Sequence, residues 1–298
     1  MNRGVIAAAV AFAWWGFFPL YFRILPGVAP PEVLANRIVW SLALVVAALA
    51  WQRRWAWLAV ARQPRVLVAF IASALLLSAN WLTYIWAVNN GHVVDASLGY
   101  FITPLINVAL GTTLLGERPR RAQWIALGLA TAGVVWLTAS AGKLPWIGLV
   151  LGLTFGAYGL LRKVAVLGAL EGLTFETMIL APAAVLGMAL WWGRSATSFP
   201  GPDLATNLWL LGLGPATTLP LLLFAFAARR LPLTTLGLFQ YTSPTIQFLL
   251  GIWLFREPFT PARFAGFALI WLALVLYTID GWRISRKFSS PPTPVPQR

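Results

Sequence analysis

SLGYFITPLINVALGTTLLGERP, residues 97–119, and GLFQYTSPTIQFLLGIWLFREPF, residues 237–259, are one stretch written twice. Adding 140 to a position in the first gives its twin in the second: Tyr100 and Gln240, Thr103 and Ser243, Pro104 and Pro244, Asn107 and Gln247, Gly111 and Gly251, Glu117 and Glu257. Both are apolar segments of membrane-spanning length with a proline near the middle. In each, the polar positions recur at i, i+3, i+7 and i+11, which is one face of a helix. From Tyr100 to Gly111 the stripe covers about 16 Å, roughly half of a bilayer's hydrocarbon core. A polar line through lipid is costly unless it faces a cavity or another helix.

The rest of the chain reads as scaffolding for these two segments. Of 298 residues, 59% are hydrophobic and only 10% charged, against about 25% charged in a soluble domain. The composition indicates an all-α, polytopic membrane protein. The net charge of +14 does not point to nucleic acid, because the basic residues lie in separate clusters between apolar runs, as topology signals do. With no cysteine and a single histidine, disulfides, thiolate chemistry and His-rich metal sites are excluded. No cofactor is indicated. There is no phosphate-binding glycine loop for ATP, no serine elbow and no HExxH, so neither an ATP-driven pump nor an enzyme is expected.

Ten spans are expected, at 4–24, 33–51, 67–88, 95–115, 122–140, 145–162, 173–192, 208–228, 234–255 and 263–282, each close to the ~20 residues that cross a bilayer. With the N-terminus in the cytoplasm, 16 of the 22 Lys and Arg fall on the inner side. That bias supports both termini inside. The 140-residue offset also relates Trp15-Gly16 to Phe155-Gly156 and Tyr84 to Phe224. The chain therefore divides into two five-helix repeats, 3–141 and 143–285, followed by a Pro-rich tail at 288–298 expected to be disordered. Five is odd, so the repeats are inverted. In secondary transporters of that design, the substrate site lies near the midplane where the halves meet.

The candidate substrate-binding residues are the two stripes, Tyr100, Thr103, Asn107, Gln240, Ser243 and Gln247, joined by Asn80 and Tyr84 of the third span, Trp15 of the first and Tyr158 of the sixth. Pro104 and Pro244 are expected to kink their helices, with Gly111 and Gly251 as further hinge or kink positions. Gly148, Gly152 and Gly156 form a small-residue row for close helix packing. Glu32 fits the helix dipole of the second span. Arg37, just inside its outer end, is read as snorkelling to the interface, the alternative being a ligand for a carboxylate. Glu176 is placed one turn inside the seventh span. No carboxylate is expected at mid-membrane, so the path is taken as neutral, the solute as carrying no net charge, and the carrier as a facilitator or exchanger.

Asn80-Trp81, Trp86 to Asn89, Ala96 to Pro104, Leu115 to Arg118, Arg162-Lys163, Glu176-Thr177 and Leu236 to Pro244 resemble the drug/metabolite transporter superfamily, EamA type, and within it most the RarD branch. The resemblance covers nearly all of residues 3–285 and departs at Thr103. It implies ten helices in two inverted repeats around a central cavity. It also implies export of small neutral or zwitterionic organic solutes by alternating access, amino acids first and amphipathic drugs such as chloramphenicol second. A non-transporting assembly or lipid-interaction factor is the alternative from another class. The expected partners are the solute and the bilayer, with the protein acting as a monomer.

Overall fold

A computed structural model describes residues 3–25, 27–53, 55–142, 146–193, 198–201, 203–254, 256 and 260–288. Glu257, Lys143 and the tail from 289 lie outside the described residues. Thirteen helices follow one another, and no strand occurs among the described residues: α1 (Arg3–Gly16), α2 (Phe18–Arg23), α3 (Pro30–Trp51), α4 (Trp57–Ala61), α5 (Pro64–Asn89), α6 (Val93–Leu114), α7 (Arg121–Ala141), α8 (Trp146–Val164), α9 (Ala169–Gly193), α10 (Leu204–Ala228), α11 (Leu233–Phe239), α12 (Thr242–Trp253) and α13 (Pro261–Phe288). Among the described residues, eight stretches are long and apolar enough to cross a membrane, the first being α1 and α2 taken together. The ninth expected span is divided between α11 and α12.

The helix starts follow local chemistry. Proline stands at the first or second position of α3 and α5, where the missing N–H costs no intrahelical bond. Asp203 caps α10 by accepting from the backbone N–H of Ala205 and Thr206 at 3.2 and 2.9 Å. The Thr206 hydroxyl and these amides hold its carboxyl below the usual carboxylate range.

The chain forms two compact units. In the larger, residues 1–117 and 145–257, helix pairing survives exchange of the two repeats. Helix α1 packs on α10 as α8 packs on α5, α1 packs on α11 and α12 as α8 packs on α6, and α3 meets α9. The twins Trp15 and Phe155 face each other, ring centroids 5.6 Å apart and edge to face. The repeats are thus interleaved. In the smaller unit, residues 118–144 and 258–298, α7 and α13 run antiparallel. Arg120 at the start of α7 pairs with Asp280 at 2.6 Å, and Trp136 near its end donates to Ala262 O at 2.8 Å.

The twin prolines do different things. Pro104 sits inside a continuous α6. Pro244 does not kink a continuous helix. The chain breaks at Gln240-Tyr241, and Pro244 falls in the first turn of α12, where its lack of an N–H is harmless. Glu176 also needs correction. Helix α9 begins at Ala169 rather than at 173, so Glu176 lies two turns in and is fully buried.

Candidate functional site: a central cavity with one arginine

Inside the larger unit a cavity of about 540 Å³, partly open to solvent, lies among α1, α2, α3, α5, α6, α8, α12 and the break between α11 and α12. Trp15, Asn80, Tyr84, Tyr100, Thr103, Gln240, Ser243 and Gln247 all line it. Its apolar wall is aromatic: the Tyr84 and Tyr100 centroids are 5.5 Å apart, and Tyr100 and Phe155 are 6.4 Å apart. Two candidates stand one layer behind. Asn107 Nδ2 donates to Gln240 Oε1 at 2.6 Å, and Tyr158 stacks on Phe224 at 5.9 Å.

The polar groups divide into anchored and unanswered. Thr103 Oγ1 donates to Gly99 O at 3.1 Å, Ser243 Oγ donates to Phe12 O, and Gln247 Nε2 donates to Trp15 O at 3.1 Å. Asn80 Nδ2 bonds Leu151 O and Thr154 Oγ1, both at 3.0 Å. These bonds hold the side chains in place. Gln247 Oε1, Gln240 Nε2 and the Tyr84 hydroxyl are buried and have no hydrogen-bond partner. An unpaired buried polar group is costly, and all three belong to residues that line the cavity.

Arg37 overturns the snorkelling reading. It is 3% exposed and lines the cavity. Its Nε donates to Thr217 Oγ1 at 3.0 Å, and its guanidinium lies 4.4 Å from the Trp81 ring centroid and 5.1 Å from that of Phe18. Cation–π contact with these rings helps to hold a charge that is almost wholly buried. Among the described residues no carboxylate pairs with it. The path is therefore not neutral: it carries one fixed positive charge. Reasoning from sequence also missed Phe12 and Trp81, because an aromatic in a membrane helix looks the same whether it packs, anchors or lines a cavity.

Gly111 serves a different contact. A Cβ there would meet Glu117 Oε2 at 2.7 Å. That space lets Glu117 Oε1 accept from Leu233 N, the first amide of α11, at 2.7 Å, with Lys163 Nζ at 3.6 Å. Gly251 is buried in α12. Glu32 does more than meet a dipole: its Oε1 accepts the backbone N–H of Ser198 and Phe199 at 2.5 and 3.2 Å.

The model of the EamA-like transporter family matches residues 2–139 and again residues 144–279. The chain belongs to that family. Among EamA-like relatives, Protein RarD of Streptomyces exfoliatus is 46% identical over 96% of this chain and 91% of its own. Protein RarD of Escherichia coli (strain K12) is 42% identical over 97% of this chain and 98% of its own. An uncharacterized transporter of Pseudomonas aeruginosa is 45% identical over 98% of both. A protein of known crystal structure, 20% identical, superposes with a TM-score of 0.69 over 93% of this chain and 98% of that one, which supports the fold. The EamA-like assignment makes the chain a membrane transporter.

Proposed function

We propose that this transporter carries small organic solutes with a carboxylate and an apolar body, amino acids foremost, by alternating access between the interleaved repeats. The observation that supports this is Arg37, a buried cation in an aromatic wall with no carboxylate of the protein beside it. A carboxylate from the solute would complete the charge pair. Gln247 Oε1 and the Tyr84 hydroxyl, both without partners, suit an ammonium on the same solute. Trp15, Tyr100 and Phe155 suit its apolar part. A neutral drug would leave Arg37 uncompensated.

The test compares L-phenylalanine with L-phenylalaninamide, which lacks the carboxylate, in proteoliposomes holding only this protein. Wild type is expected to carry the acid in preference. Arg37→Gln is expected to raise the half-saturating concentration of the acid by about tenfold to a hundredfold, the range for losing a charged hydrogen bond, and to erase the preference. Equal transport of acid and amide by wild type would sink the carboxylate reading. Absence of any flux, for a panel of amino acids and for chloramphenicol, would sink transport itself.

Ten spans with both termini on the cytoplasmic side of a bacterial inner membrane are part of the same proposal. The chain has no cysteine, so single cysteines report topology directly. Those near 92, 142, 198 and 260 are expected to react with an impermeant thiol reagent from outside, and those near 58, 119, 168 and 231 to be silent. The opposite pattern would reverse the orientation.

A further inference from the structure

A second pocket lies between α5 and α8, away from the central cavity, and its chemistry is different. It encloses about 490 Å³, partly open to solvent, and is walled mostly by aliphatic side chains, with Arg65, Arg162 and Ser73 as its polar members. Arg65 is the second residue of α5 and Arg162 is two residues from the end of α8. Both arginines therefore sit within a turn of the same end of their spans, at the depth of lipid headgroups. Val164 and Val166 on the rim are 57% and 69% exposed. Arg162 itself is 1% exposed, and its Nε and Nη1 have no hydrogen-bond partner. Its Nη2 donates to Gly168 O and Ala169 O at 3.4 and 3.1 Å, and its Nη1 lies 3.6 Å from Glu176 Oε1.

We propose that this groove is a site for one anionic phospholipid. Its phosphodiester lies between Arg65 and Arg162, and an acyl chain runs along Val66, Phe70 and Leu161. Two features select an amphiphile over a free anion. The walls are apolar along most of the groove, and the two arginines come from helix ends on one side of the bundle, the start of α5 and the end of α8. A soluble phosphate would meet the arginines and leave the apolar length unfilled. A zwitterionic lipid would fill the length and bring its own cation to the arginines.

The same pocket touches a structural ion pair. Glu176 Oε1 is 3.6 Å from Arg162 Nη1 and accepts from Ser73 Oγ at 2.5 Å. Ser73 lines the groove, so a bound headgroup would share Arg162 with Glu176 rather than replace it.

The experiment is native mass spectrometry of the full chain, released from a neutral detergent with phosphatidylglycerol or phosphatidylcholine of matched acyl chains. Phosphatidylglycerol is expected to be retained as one tightly held molecule. Arg65→Gln, an exposed position whose loss spares the fold, is expected to weaken it about fivefold, the share of one basic residue at a lipid surface. Ala69→Trp, which fills the groove without touching either arginine, is expected to abolish it. A melting curve of each variant in lipid-free detergent separates a lost site from a lost fold. Equal retention of the two lipids, or unchanged retention in both variants, would overturn the proposal. So would complete displacement of phosphatidylglycerol by millimolar glycerol phosphate, which would make the groove a pocket for soluble anions.

Discussion

Arg162→Gln is expected to lose most of the folded protein, and adding Glu176→Gln to it is expected to bring the protein back. The two side chains are 1% and 0% exposed and 3.6 Å apart. Removing one partner leaves the other as a buried charge without compensation, which costs about 3–5 kcal/mol. Native domains hold only about 5–15 kcal/mol in total, so either single change approaches the threshold of folding. The pair as a whole is another matter, because the desolvation of both ions offsets much of their attraction. Two glutamines can still hydrogen-bond each other, Ser73 Oγ and Tyr158, the latter two being partners of Glu176 in the native protein. The measurement is a double-mutant cycle on unfolding in mixed micelles, which isolates the coupling between the two positions. A stable single variant, or a double variant as damaged as the worse single, would show that the pair does not set stability here.

Gly99→Ala is the second change expected to be severe. Helices α6 and α8 cross at Gly99 and Gly148. A Cβ at Gly99 would stand 2.8 Å from the Gly148 Cα, 2.8 Å from its carbonyl oxygen and 2.8 Å from Leu151 Cβ. Two of those three neighbours are backbone, so no rotamer change relieves the clash. The helices must separate, at a cost of about 1–3 kcal/mol or more. The separation also moves Thr103 and Phe155, which line the cavity, so solute flux is expected to fall with stability. Gly128→Ala is the control. Nothing lies within 4 Å of that position, and the better helix propensity of alanine is expected to leave stability unchanged or raise it by about 0.5–1 kcal/mol. Equal effects at the two glycines would mean that close packing at Gly99 is not what holds α6 on α8.

The apolar helices and the stripe were legible because they depend on periodicity, which is local. Tyr100 and Thr103 share a face of α6 by spacing, Ser243 and Gln247 one of α12, and with Gln240 at the break they line one cavity in the structure. Arg37 was not legible. A cation a third of the way down a span has the same neighbours in sequence whether it bends toward water or turns inward. What turns it inward is Thr217, 180 positions away, and the ring of Trp81. Glu176 was misplaced for a related reason. Gly168 and Gly172 suggest a loop, but α9 runs through Gly172, where the absent Cβ leaves room for the Arg162 guanidinium. The break at Gln240-Tyr241 has no local signal either. It is held from α6, by Asn107 on Gln240 and by Phe101 stacked on Tyr241 at 6.0 Å.

The interleaving of the repeats bears on how the protein is made. While the ribosome has delivered only the first repeat, α1 lacks α10 and α12, and α5 and α6 lack α8. Asn80 and Asn107 then have no Leu151 carbonyl and no Gln240 to bond, and they face lipid or one another. A chain truncated after residue 141 is thus expected to be unstable and not to transport. The two halves supplied as separate polypeptides in one cell each hold what the other lacks, and are expected to assemble.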